Sequence, residues 1–192
     1  MGFSLSYLSS FVWINLIFGF FVLLSYILGI LQFPEYREAL WGGVHGALRQ
    51  KFIISMLIAA VGYLLFFSYI VYFYLINGDC LKQLHFLNIL NFSQALNFSV
   101  LIFLAFAAIW MPTLIIYLQS SNSIFLYISN VSLWITAFAS ILILLTTTFG
   151  FLNLNYNIKD SFFSYLTLAG LIQVVFHCLV IDGIIFVMKF PK

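Results

Sequence analysis

The sequence predicts an all-α fold: a bundle of five transmembrane helices that forms a single integral-membrane domain over residues 1–192. The first observation is the composition, because 65% of the residues are hydrophobic and only 6% are charged. A soluble domain is charged at about a quarter of its positions, so a surface this poor in charge indicates a lipid environment. The small formal charge of +2 and the lack of a basic run also exclude a nucleic-acid partner.

The second observation is the presence of five apolar segments that each reach the roughly 20 residues needed to cross a bilayer core. Backbone groups in lipid must be paired internally, and the alternating pattern of a membrane barrel is absent, so these segments are predicted as helices. The connection at residues 119–123 is very short, which predicts that the third and fourth helices are antiparallel neighbours. The five segments are residues 11–31, 52–76, 98–118, 124–149 and 162–189.

The distribution of Lys and Arg predicts the orientation of the chain in the membrane. With five spans, five of the seven basic residues fall on one side and two on the other. Basic residues favour the side that is not translocated, so the N-terminus is expected outside and the C-terminus on the cytoplasmic, matrix or stromal side. Which membrane is involved stays open, and an organelle membrane is compatible with the Phe-rich composition. The five are Arg37, Arg49, Lys51, Lys189 and Lys192, and the two are Lys82 and Lys159.

Small and hydroxyl-bearing residues repeat along single faces of the predicted helices. Small side chains let helix backbones approach closely, and hydroxyl groups form hydrogen bonds across the contact. Gly19 in the first helix and Gly62 in the second are predicted to serve helix packing in this way. The longest such face predicts that the fourth helix is central. Its residues are Ser129, Ser132, Thr136 and Ser140.

The last segment carries three polar side chains at membrane depth, Gln173, His177 and Asp182, which are candidates for a ligand or ion pathway. A carboxylate in hydrocarbon costs a few kcal/mol, so a compensating interaction is expected. On an α-helical wheel Gln173 and His177 share a face and Asp182 lies roughly opposite, so His177 and Asp182 are not expected to pair. Two interpretations of Asp182 stay open: an interfacial acid approached by Lys189 or a hydroxyl group, or a proton or cation site. His177 is expected as a neutral imidazole bonded to a backbone or hydroxyl group.

Trp110 and Pro112 are further candidates in the third helix. Pro112 removes one intrahelical hydrogen bond and is expected to kink the helix, which serves either packing or a pocket wall. Trp110 points away from Pro112 and is expected to face lipid or another helix.

Metal, haem and catalytic sites find no support in the sequence. A zinc site needs three or four ligands, but His45 and His85 fall in connections on opposite sides of the bilayer. A bis-His haem would need a second histidine at the depth of His177, and there is none. No Ser or Cys lies near a histidine and an acid in a recognisable nucleophile motif. Catalytic and metal residues are therefore not assigned, and any cofactor is left unknown.

Trp110-Met-Pro112 in the third helix and Ala60-Val-Gly62-Tyr63 in the second give the chain a resemblance to the translocator protein (TspO/MBR) family. That family consists of small five-helix membrane proteins, and the resemblance implies binding of porphyrins, sterols or drug-like ligands between helices. The chain departs from the family because its third helix is poorer in Trp and Pro. Its C-terminal part also lacks the Tyr shortly before a basic residue that the family's sterol motif needs.

Three classes of function compete at this stage. The first is a non-enzymatic protein of the lipid bilayer that binds a hydrophobic ligand between helices, or packs with other membrane subunits or as a homo-oligomer. The alternative is an ion- or proton-conducting protein that uses the polar residues of the last helix. A membrane enzyme acting on lipid would need a polar cluster that the sequence does not show.

Overall fold

The computed structural model describes residues 2–77, 85–86, 90–153 and 162–190. This part of the chain holds five helices that are each long and apolar enough to cross a membrane. The prediction of an all-α five-helix bundle is confirmed, and the chain is an integral membrane protein. The helices are α1 (Gly2–Gln32), α2 (Gly46–Asn77), α3 (Phe92–Ser120), α4 (Ser123–Asn153) and α5 (Phe162–Lys189).

The helices extend beyond the apolar segments that predicted them. An apolar segment ends where polar residues begin, but the helix that contains it continues until its terminal backbone groups are capped. At the start of α3, Asn91 Oδ1 accepts a hydrogen bond from Gln94 N at 2.8 Å, and Gln94 Oε1 accepts from Asn91 N at 3.4 Å, which is a capping box. Just before this cap, β1 (His85–Phe86) and β2 (Leu90–Asn91) form a two-residue antiparallel pairing.

Helices α3 and α4 are antiparallel neighbours, as the short connection predicted. The turn between them consists of Ser121 and Asn122. Ser121 has the left-handed backbone conformation, with φ 54°, and its N–H donates to the carbonyl of Tyr117 at 2.8 Å. The remaining extensive contacts join α1 to α3, α2 to α5, and α4 to α5.

The small-polar face of α4 is buried. Ser129, Ser132, Thr136 and Ser140 all expose 6% or less of their surface, and α4 contacts both α3 and α5. Only Ser129 bonds across to another helix, where its Oγ donates to the carbonyl of Trp110 at 3.0 Å. The other three hydroxyl groups donate to carbonyl groups of α4 itself. These three side chains therefore contribute their small size, and not a hydrogen bond, to the contacts of α4 with its neighbouring helices.

The two glycines predicted as packing positions differ in the structure. A Cβ placed on Gly62 would lie 2.5 Å from the carbonyl oxygen of Gly170, and one placed on Gly170 would lie 2.7 Å from Gly62 Cα. The backbones of α2 and α5 therefore touch at this crossing. A Cβ placed on Gly19 would have no neighbour within 4 Å, so the close contact predicted there is not formed by the described helices.

We predict that Gly62→Ala lowers the stability of the protein, because the new methyl group would push the backbone of Gly170 away. Overpacking of this kind costs about 1–3 kcal/mol. Gly19→Ala is the matched control, and it should leave stability unchanged or slightly raised because Ala favours a helix over Gly. Thermal unfolding in detergent compares the two variants. Equal effects of the two substitutions would contradict the α2–α5 crossing.

Candidate functional site

The connection between α1 and α2 folds over one end of the bundle. It contains two short 3-10 turns, Pro34–Tyr36 and Ala39–Trp41. The N–H of Gly43 donates to the carbonyl of Lys189 at 3.1 Å, which ties the connection to the end of α5. Gly42 has φ 54°, and a Cβ there would lie 2.6 Å from the ring of Phe190, so a larger residue would be strained and would clash.

A cavity of about 270 Å³ lies between the helices beneath this connection. All five helices contribute to its walls. Five of its lining residues are aromatic, and apolar side chains such as those of Met56, Met111 and Leu133 provide most of the rest. The aromatic residues are Tyr26, Trp41, Phe52, Trp110 and Phe186.

Two arginines form the outer end of the cavity. Arg49 Nη1 lies 2.7 Å from Glu38 Oε2, and its guanidinium carbon lies 4.6 Å from the centre of the Trp41 ring. Arg37 Nε donates to the carbonyl of Ile30, near the end of α1, at 2.7 Å. Both arginines thus have partners on the connection or the adjoining helix and hold the connection in place.

The inner end of the cavity is formed by His177 and Asp182, which the structure brings together. His177 Nε2 lies 3.4 Å from Asp182 Oδ2. The wheel-based prediction that these two residues do not pair is wrong. The reason is that His177–Phe186 is π-helical, with i→i+5 hydrogen bonding, so residues five apart lie above one another. Among the described residues, the basic side chain within contact distance of Asp182 is therefore His177, while Lys189 is exposed.

The π-helical segment is held from α4. Trp134 Nε1 donates to the carbonyl of Gly183 at 2.8 Å. A Cβ on Gly183 would meet the carbonyl of Cys178 at 3.1 Å and the ring of Trp134 at 3.5 Å. Wide helical turns are rare and occur frequently at functional sites, and here the widened turn sets the direction of Asp182.

A chain of hydrogen bonds joins α2 to α5 behind this pair. Gln173 Nε2 donates to Ser55 Oγ at 3.0 Å, and Ser55 Oγ lies 3.2 Å from His177 Nδ1. Ser55 can accept from Gln173 and donate to Nδ1 at the same time. That assignment gives a neutral imidazole with its proton on Nε2, the nitrogen beside Asp182.

The two candidates of α3 take different places. Trp110 lines the cavity, where its Nε1 donates to Tyr26 Oη at 3.2 Å and its ring centre lies 5.9 Å from that of Phe186. Of the two predicted orientations of Trp110, towards lipid or towards another helix, the structure shows the second. Pro112 is exposed and does not line the cavity. Thr113 Oγ1 donates to carbonyl groups of the turn before Pro112, as hydroxyl groups commonly do near a proline in lipid.

Several residues of the site were not predicted from the sequence. Ser55 is not among the predicted site residues, because nothing in the sequence shows which helix meets α2. The arginines were interpreted as orientation signals alone, since the folding back of their connection is a tertiary feature. The neighbouring Trp41, Gly42 and Gly43 were the available signal for a tight turn in this connection.

Comparisons with family models, curated proteins and solved structures give no significant match to this chain. Within the described ranges, no three His, Cys, Asp or Glu side chains converge as a metal site. The geometry of the cavity is therefore the basis for a functional proposal.

We predict that Ser55→Ala lowers the free energy of unfolding by about 1–3 kcal/mol, because it leaves the buried His177 Nδ1 without its partner and leaves Gln173 Nε2 only the backbone carbonyl of residue 55, at 3.4 Å. Ser140→Ala is the control, since Ser140 is equally buried but donates only to the carbonyl of Ala137 in its own helix. That change should stay within about 0.5 kcal/mol. Denaturant titration in detergent measures both. Equal losses of unfolding free energy in the two variants would show that the hydrogen bonds of Ser55 to α5 do not stabilise the protein.

Proposed function

We propose that the protein is a non-enzymatic membrane protein that binds a small hydrophobic ligand in the cavity beneath residues 33–45. The cavity itself is the observation on which the proposal rests. Ligand sites are mostly apolar and aromatic, with a few polar groups that fix orientation. The volume of about 270 Å³ lies just below the roughly 300–1,000 Å³ typical of such sites, so the ligand is small.

The distribution of polar groups supports a ligand with two different ends. Arg37 and Arg49 lie at the outer end of the cavity, and His177 and Asp182 lie at the inner end. Ser55, which bonds to His177, is six residues further along α2 than Arg49, which corresponds to a depth difference of about 9 Å. Between these ends the walls are apolar, so an elongated ligand with an apolar middle fits the site best.

Binding between helices is also what the resemblance to the translocator protein family implies. That resemblance rests on Trp110-Met-Pro112 and on Ala60-Val-Gly62-Tyr63. Trp110 lines the cavity, whereas Pro112 and Gly62 do not. The cavity is therefore stronger support for ligand binding than the resemblance.

The close α2–α5 crossing supports binding over ion or proton conduction. Hydrogen bonds join Gln173, Ser55 and His177, and His177 Nε2 then lies 3.4 Å from Asp182 Oδ2. One turn of α5 further from Asp182, the backbones of Gly62 and Gly170 touch and leave no space for water at this crossing. The polar side chains can therefore bind a proton or a ligand, but the glycine contact interrupts a continuous path for ions at the crossing of α2 and α5. Proton flux through liposomes that contain the protein would contradict this view.

We predict that a neutral, lipophilic diazirine photoprobe labels the lining of the cavity in liposomes. Met56→Trp should block this labelling because the indole fills the cavity, whose wall includes Met56. Leu57→Trp is the matched control, since Leu57 is the next residue of α2 and faces outwards with 58% exposure. Peptide mapping of the labelled sites around Trp110 and Met111 measures the effect. Labelling of the lining that is equal in both variants, or absent in the unaltered protein, would refute the proposed site.

We also propose that the end of the bundle that carries the cavity faces the cytoplasm, matrix or stroma, with the N-terminus outside. The contact between Gly43 and Lys189 brings the basic residues of the first connection to the same end as Lys189. An excess of Lys and Arg favours the side that is not translocated.

A reporter fused to each terminus should therefore give signals from opposite compartments, with the C-terminal reporter inside. Reporters in one compartment would contradict the five-span topology, and an inverted pair of signals would contradict only the orientation.

A further inference from the structure

Asp182 presents an acidic group to the cavity. Its side chain retains 30% of its exposure although it lies about two helical turns from Lys189 on a membrane-spanning helix. It is one of the residues that line the cavity. The cavity is therefore an environment in which a bound molecule reaches the carboxylate directly.

When Asp182 is ionised, no lysine or arginine of the described residues lies beside it as a counter-ion. Ser55 Oγ lies 3.2 Å from His177 Nδ1, and when it donates to that nitrogen the imidazole is neutral and carries its proton on Nε2, beside the carboxylate. A buried charge is costly unless it is paired. A cation supplied by a ligand would compensate it.

Three aromatic rings that contact one another line the same cavity as this acid. The Trp110 ring lies 5.7 Å from the Tyr26 ring and 5.9 Å from the Phe186 ring, centre to centre, and all three residues line the cavity. Aromatic faces attract ammonium and guanidinium groups, most strongly where water is excluded. The combination of one acid with several aromatic side chains is the chemistry that recognises an organic cation.

The two arginines at the outer end of the cavity could in principle attract an anionic ligand, but both already have partners. Arg49 is already paired with Glu38 and stacked on Trp41, and Arg37 donates to the carbonyl of Ile30. An anionic amphiphile held by these arginines would also place its apolar tail against Asp182 and His177. A ligand whose cationic group lies at the inner end avoids that cost.

We infer that the cavity takes a small organic cation, an amphiphile whose ammonium group lies against Asp182 and among the rings of Tyr26, Trp110 and Phe186. This inference rests on the proposed ligand-binding function and narrows its ligand class. The apolar body of the ligand extends towards the outer end of the cavity.

The test uses two compounds of the same shape, the cation benzyltrimethylammonium and its neutral isostere neopentylbenzene. Each competes with the neutral photoprobe for the cavity of the full chain in liposomes. After correction for the measured partitioning of each compound into the same liposomes, we expect the cation to displace the probe at a concentration at least about tenfold lower, because an ion pair with Asp182 and cation–π contacts both require the positive charge.

Asp182→Asn should reduce this cation-to-neutral ratio by about tenfold or more, whereas Glu35→Gln should leave it unchanged, since Glu35 is exposed and outside the cavity lining. Partitioning of the two compounds into lipid is the same for every variant and cancels in the comparison. If Asp182→Asn fails to fold, the ratio in the unaltered protein still decides.

Equal displacement by the two compounds would overturn the inference and leave the ligand-binding proposal standing. The same holds if the anion 3-phenylpropanoate is the best competitor and Arg37→Gln abolishes its effect, because the arginines would then select the ligand. A ratio that is unchanged in a folded Asp182→Asn variant would also overturn it. Failure of the photoprobe to label the cavity at all would instead remove the ligand-binding proposal and this inference together.

Discussion

Asp182 lies on a membrane-spanning helix, and the hydrocarbon around such a helix offers it neither hydrogen bonds nor counter-ions. Its polar partners must come from within the bundle, and the surrounding structure positions one of them, His177, beside the carboxyl group. The π-helical turns of α5 bring Asp182 beside His177, and Trp134 of α4 holds the carbonyl of Gly183 in that widened segment. Ser55 of α2 then fixes the imidazole from its other side. Side chains of α2, α4 and α5 thus position this carboxyl group at the wall of a cavity that all five helices line.

Much of the fold could be predicted because it follows from composition and local pattern. Charge-poor apolar segments of sufficient length become spans, and a two-residue turn leaves α3 and α4 no arrangement other than antiparallel packing. Glycines were less predictable, because a glycine on a helix face shows only that a close approach is allowed. Gly62 meets Gly170 of α5, whereas a methyl group added to Gly19 would meet no atom within 4 Å, and only the partner helix decides which outcome occurs.

The site was less predictable than the fold because it depends on geometry that is not local. Gln173, His177, Asp182 and Trp110 were identified as polar or aromatic side chains in apolar surroundings, but their relative positions required two tertiary facts. One is the π-helical widening, which an α-helical wheel cannot represent. The other is the return of residues 33–45 over the bundle, fixed by Gly43 and Lys189, which adds Arg37, Leu40 and Trp41 to a site otherwise composed of membrane helices.

The pairing of His177 with Asp182 can be measured by solid-state NMR on the protein in lipid bilayers. With ¹⁵N-labelled histidine and ¹³C-labelled aspartate, we expect a strong dipolar coupling between His177 Nε2 and the Asp182 carboxyl carbon, in keeping with the 3.4 Å contact. We also expect the shifts of a neutral imidazole that is protonated on Nε2 and accepts a hydrogen bond on Nδ1. The absence of this coupling in the folded protein would contradict the pairing, because it would place Asp182 on the opposite side of α5, as a regular α-helix would.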